Sequence, residues 1–128
     1  MKGRIALIAL LSALVFGNAI AKELPDSAFP YGLLELRGYP MEMSREGKFR
    51  IYSGSTTFVE GTFSIDGNKM IIFDTGGQNA CRGKRLNPGR YYWTVHDHGL
   101  YLMLIKDHCG ARRTAFLEAP LKIGLHRQ

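Results

Sequence analysis

Apolar and polar positions alternate with a period of two in short runs along much of the chain, and closely spaced glycines end each run. The clearest run is Val59 to Ile65, whose odd positions are apolar or Gly and whose even positions are polar. One of its faces meets a core and the other meets water. Asp66-Gly67-Asn68 follows as a hairpin turn, and Lys69 to Phe73 returns, placing Ile65 opposite Met70, Phe63 opposite Ile72 and Asp66 opposite Lys69. Lys48 to Tyr52 alternates in the same way. Leu33 to Arg37 and Met41 to Met43 read as two shorter strands, with Tyr39-Pro40 turning the chain between them.

A second hairpin pairs Tyr91–Val95 with Leu100–Ile105 across His96-Asp97-His98-Gly99. Trp93, Val95, Leu102 and Leu104 form its core face. The opposite face, Tyr92, Thr94, Tyr101, Met103 and Ile105, is also largely apolar, so either it is an exposed patch or the N-terminal Phe29 and Tyr31 fold over it. A last strand is expected over Arg112–Glu118, before Pro120. The stretch from Asp74 to Arg90 is the longest irregular one, and no convincing helix, repeat or low-complexity tract appears. These elements predict an all-β protein, a small antiparallel up-and-down barrel of about eight strands.

Composition adds the compartment. Residues 1–21 have a basic start (Lys2, Arg4), an apolar run from Ile5 to Phe16 and small residues at Ala19 and Ala21, the pattern of a cleaved export signal. That run is too short to span a bilayer, which argues against an integral membrane protein. The expected organisation is a leader over 1–21, an irregular lead-in over 22–32, the barrel over 33–120 and a loose tail over 121–128, destined for a bacterial periplasm or the exterior. Losing Lys2 and Arg4 takes the formal charge from +6 to +4. That modest charge and the exported destination argue against nucleic acid as a partner. The two cysteines, Cys81 and Cys109, read as one disulfide in an oxidising compartment, closing a loop of roughly thirty residues worth about 3 kcal/mol in the chain-entropy model.

Three motifs form one pattern: Gly89-Arg90-Tyr91-Tyr92-Trp93, then His98-Gly99-Leu100-Tyr101-Leu102, then Asp107-His108-Cys109-Gly110-Ala111-Arg112. Together they resemble the small secreted lipocalin-like (calycin) domains of bacteria, where a late hairpin ends in Asp-x-Cys with an Arg three residues on. Gly61 to Asn68 is similar to the earlier hairpin of those domains. The resemblance covers about Lys48 to Glu118. It implies an eight-stranded barrel closed by a Cys81–Cys109 disulfide, and a small hydrophobic molecule bound in the barrel mouth. The early G-x-W signature of true lipocalins is missing and the chain is short for a roomy cup, so hollow and self-filled interiors both stay open.

Within that picture Arg112 closes the barrel base, stacking on Trp93 and donating to strand-end carbonyls, and Arg90 neighbours Asp107. Candidate ligand residues are Tyr92, Trp93, Tyr101 and Met103 for an apolar site, with Arg85 and Arg112 for an anionic end. Arg82, Lys84, Arg85 and Arg90 make the loop 82–90 basic, and a secreted protein-protein interaction or inhibitor module acting through it is the alternative. Asp74-Thr75-Gly76 after an apolar strand resembles the active-site turn of dimeric aspartic proteases, a third and weaker reading. His96, His98 and His108 supply imidazoles but no further ligand, and read as exposed hairpin residues rather than a metal set. The expectation is therefore a monomeric, non-enzymatic binding module with no cofactor and no metal.

Overall fold

The computed structural model describes residues 28–124. The expected leader, residues 22–27 of the lead-in and residues 125–128 of the tail lie outside the described residues. In chain order the elements are β1 (Gly32–Leu36), β2 (Tyr39–Met43), β3 (Lys48–Ser53), β4 (Thr56–Asp66), β5 (Lys69–Gly76), β6 (Gly89–His96), β7 (Gly99–Lys106), α1 (Gly110–Glu118) and β8 (Leu121–Ile123). Each strand runs antiparallel to the next, and β8 closes the ring between β7 and β1. The architecture is the closed eight-stranded up-and-down barrel that the alternation predicts, with one helix added.

Alternation fixes the register of the central hairpin. Ile65 faces Met70, Phe63 faces Ile72 and Asp66 faces Lys69, as the Gly67-Asn68 turn requires. Inward positions of every strand fill the interior: Leu34, Met41, Phe49, Phe63, Met70, Ile72, Tyr91, Trp93, Leu100 and Leu102 are all buried. A shift by one residue anywhere would turn these side chains outward, so the core itself holds the pairing. Gly61 sits at a bulge where β4 crosses β5, and a Cβ there would collide with the carbonyl of Phe73. Only glycine lets the two backbones approach that closely.

Several expectations are corrected. Arg112–Glu118 is not a strand but lies within α1. Its buried residues, Arg112 and Phe116, are four apart, the spacing that shares a helix face, and Ala111, Ala115, Leu117 and Glu118 all favour helix. The helix ends at Ala119, held extended before Pro120. The eighth strand is Leu121–Ile123, taken from the supposed tail. The chain turns at Arg37-Gly38, both at positive φ, rather than at Tyr39-Pro40, which belongs to β2. Asp74–Gly76 extends β5, and Gly89-Arg90 begins β6, leaving only 77–88 irregular.

The second hairpin pairs as expected, Trp93 with Leu102 and Val95 with Leu100, with a bulge between Arg90 and Tyr91, but its core face is shifted toward the start of β6. Tyr91 goes inside, while Val95 and Leu104 are exposed. Phe29 and Tyr31 do not cover the outer face of this hairpin. Phe29 is buried inside, edge-on to Trp93 at 5.2 Å and 5.8 Å from Phe63, so the lead-in plugs one end of the barrel.

Candidate functional site

The other end is open. Among the described residues a cavity of about 460 Å³ lies there, walled by Leu36, Phe49, Ile51, Phe58, Val59 and Phe116 and reaching Asp74 and Arg112. Inward positions of β1, β3 and β4 supply the apolar wall, and α1 supplies Ala115 and Phe116. Arg37 and Asn79 stand in the lining, and Arg37 is paired with Glu118 at 2.7 Å, both half exposed.

Beside this cup is a buried ionic cluster. Arg112 Nε donates to Asp107 Oδ2 at 2.8 Å and Nη2 to Asp107 Oδ1 at 2.8 Å, a two-pronged pair. Nη1 donates to Asp74 Oδ1 and to Asn87 Oδ1, each at 2.9 Å, and Nη2 also donates to the Leu86 carbonyl at 2.7 Å. A guanidinium has five N–H donors, and all of them are used within the chain. Asp74 Oδ2 accepts from the Cys81 backbone N–H, so both carboxylate oxygens of Asp74 have partners too. Asn87 joins the irregular loop to the cluster by donating to the carbonyls of Cys81 and Gly83. Asp107 also accepts from the Tyr91 hydroxyl and the Cys109 N–H.

The charge states follow. Burial pushes the Asp107 carboxyl up, but hydrogen bonds from Arg112, Tyr91 and the Cys109 N–H outweigh it and hold Asp107 below the usual carboxylate range. Burial pulls the Arg112 guanidinium down, and Asp107 and Asp74 more than restore it. Burial and the bond to Asp107 push the Tyr91 phenol far above its ordinary value. The cluster is therefore a fixed network of charges at neutral pH. Gly89 makes room for it: a Cβ there would stand 2.5 Å from Asp107 Oδ2 and 2.9 Å from Arg112 Nε.

The six residues nominated from sequence do not form one site. Trp93 is buried, with its indole N–H donating to the Gly67 carbonyl, beside the Phe29 plug. Tyr92 and Met103 are exposed on the outer wall, and Tyr101 stacks on His96 with ring centroids 4.3 Å apart. Arg85 is exposed on the loop. Only Arg112 reaches the cavity, and its donors go to Asp107, Asp74, Asn87 and Leu86 rather than to a stack on Trp93. Arg90 lies opposite Lys106 in the ladder, one residue along from Asp107.

His96 ends β6 and His98 lies within the turn that follows it, while His108 lies in the loop before α1 beyond the far end of β7. Asp74, Cys81 and Cys109 gather closely enough to hold a cation, but both thiols are consumed in the Cys81–Cys109 disulfide. That bridge ties the loop 77–88 to the first residue before α1, and Cys109 lines the cup. Sequence reasoning missed Leu36, Phe49, Ile51, Phe58, Val59 and Phe116 as a set. The signal was present only as inward alternation, which does not distinguish a filled layer from an open one. Compared with family models, curated proteins and solved structures, the chain matches none.

Proposed function

We propose that the protein is an exported, non-catalytic binding barrel that holds a small, compact, largely apolar molecule in the cup at its open end. The observation that carries this reading is a cavity of about 460 Å³, lined mostly by apolar side chains, beside an ionic cluster whose hydrogen bonds are already made. That volume falls in the ordinary range for small-molecule sites. Arg112 has no donor left for an anionic head group, so the ligand is one whose affinity comes from apolar area, with its polar end at the rim near Arg37 and Asn79. The plugged opposite end and the lipocalin-like order of strands support the same reading. So does Asp74, whose two carboxylate oxygens serve Arg112 and Cys81 rather than an exposed reaction centre.

Titration with the neutral fluorescent probe N-phenyl-1-naphthylamine tests it. Ala115→Phe pushes a ring into the cup, and probe affinity is expected to fall at least about tenfold while the melting temperature holds. Met103→Ala, on the outer wall, is expected to leave affinity unchanged. Saturable binding that Ala115→Phe spares and Met103→Ala weakens would move the site to the outer wall. No saturable binding would remove the reading.

A further inference from the structure

The outer wall of the barrel is of two kinds. On β2, β3 and β4 it is polar and its charges answer one another: Glu42 lies opposite Arg50, and Arg50 opposite Glu60. The Tyr52 hydroxyl donates to Glu42 Oε2 at 3.1 Å, and the Arg50 guanidinium stacks over the Tyr52 ring. The wall of β5, β6 and β7 is built differently. Phe73, Tyr92, Met103, Leu104 and Ile105 are between 38% and 50% exposed there. α1 packs against β7, so what is open to solvent is the face of the sheet. The only acidic residue of these three strands is Asp74, which is buried inside. Cations stand among the apolar side chains instead. Lys69 lies opposite Tyr92 and Tyr92 opposite Met103; in the next row Ile71 lies opposite Arg90 and Arg90 opposite Lys106. Lys69, Arg90 and Lys106 are exposed, and none is in an ion pair among the described residues. Like charges directly opposite each other cost a sheet stability, so Arg90 beside Lys106 is a pairing that an external anion relieves.

We propose that the β5–β7 wall docks the protein on the surface of an anionic phospholipid bilayer, with Tyr92, Met103 and Ile105 at headgroup level and Lys69, Arg90 and Lys106 on lipid phosphates. Charge complementarity selects this occupant. The wall joins exposed apolar area to positive charge that no side chain of the protein answers, and an anionic lipid surface supplies the complement of both. Lys and Arg stems lie along apolar surface while their heads reach a polar layer, and tyrosine favours the same depth. The polar wall of Glu42, Arg50 and Glu60 keeps the barrel on the bilayer rather than across it, since a spanning barrel carries an apolar band all the way round. The contact uses the outside of the barrel, so it stands or falls apart from binding in the cup.

Co-sedimentation of the disulfide-bonded chain with lipid vesicles tests it. Binding is expected to be at least roughly tenfold stronger on phosphatidylcholine vesicles carrying about one-third phosphatidylglycerol than on phosphatidylcholine alone, and to weaken as salt rises. Arg90→Gln with Lys106→Gln is expected to remove most of that preference. Lys48→Gln with Arg50→Gln takes the same charge from the β2–β4 wall and is expected to leave the preference in place. All of these chains keep the same N-terminal segment, so the comparison reads the wall alone. Line broadening by a spin-labelled phospholipid needs no variant: in the wild-type chain the signals of Tyr92 and Met103 are expected to broaden, and those of Tyr52 and Thr62 to stay sharp. Equal loss in the two double variants would overturn the inference, since net charge alone would then account for binding. So would broadening centred on the β2–β4 wall. Absence of binding to the anionic vesicles would overturn it too, and would turn attention to an acidic protein as the partner of these cations.

Discussion

Arg112 has all of its N–H groups spent inside the protein, on two carboxylates, one amide oxygen and one carbonyl. Its work is to neutralise Asp107 and Asp74, which β5 and the end of β7 bring together under the helix. Removing one partner from a buried ion pair leaves an uncompensated charge in a low-dielectric site. Arg112→Met is therefore expected to cost about 3–5 kcal/mol at neutral pH, read from urea unfolding. The pH dependence carries the sign of the Asp107 shift. Its folded-state value is depressed, so its contribution is fully present above the unfolded carboxylate value of about 3.9 and is lost as pH falls through the folded value. In Arg112→Met that acid loss should vanish, because protonated carboxyls need no counter-charge, and the gap to wild type should narrow at low pH. A gap of constant size would deny the network its role. The Asp-x-Cys-x-x-Arg spacing made Arg112 and Asp107 legible in the sequence as structural residues. Asp74 and Asn87 were not legible as their partners, because they reach Arg112 from 38 and 25 residues away respectively.

At the scale of elements, hairpins with strong turn residues read correctly and the last third of the chain did not. Asp66-Gly67-Asn68 between two alternating runs leaves one register that buries Phe63, Met70 and Ile72 together. Over 110–118 the pattern is ambiguous: Arg112 is polar but buried, so the inward pair Arg112 and Phe116 does not show as a helical apolar face. The same ambiguity hid β8, which is three residues long and follows a proline. Loop 77–88 and α1 are joined by the disulfide and by Asn87 and Arg112, so they behave as one lid-side unit beside the cup. Opening the 28-residue separation by Cys81→Ser with Cys109→Ser is expected to lower stability by about 3 kcal/mol in the chain-entropy model. Because that loss acts through the unfolded chain, amides of the β4–β5 hairpin that exchange only by global unfolding are expected to accelerate by the same free energy, and α1 and the Asn87 amide by more, since the bridge also ties them to the barrel. Equal acceleration everywhere would deny the bridge a local role at α1.

The whole molecule is a barrel with unlike ends. Phe29 and Tyr31 fill one end against Trp93 and Phe63, and the other end keeps an apolar cup between the inner wall and α1. Fold class followed from alternation and glycine spacing. The cup did not, because a period of two reports only which side chains point inward, and whether they meet across the barrel depends on its diameter and on the helix. No helix among the described residues is long and apolar enough to cross a membrane. The central claim is that this cup binds, and an NMR shift map of the labelled chain titrated with N-phenyl-1-naphthylamine tests it most directly. The account predicts perturbed signals at Phe49, Val59, Ala115 and Phe116, with Tyr92, Met103 and the Phe29 plug unmoved. Shifts confined to the outer wall or to the plugged end, or no shifts at saturating probe, would contradict it.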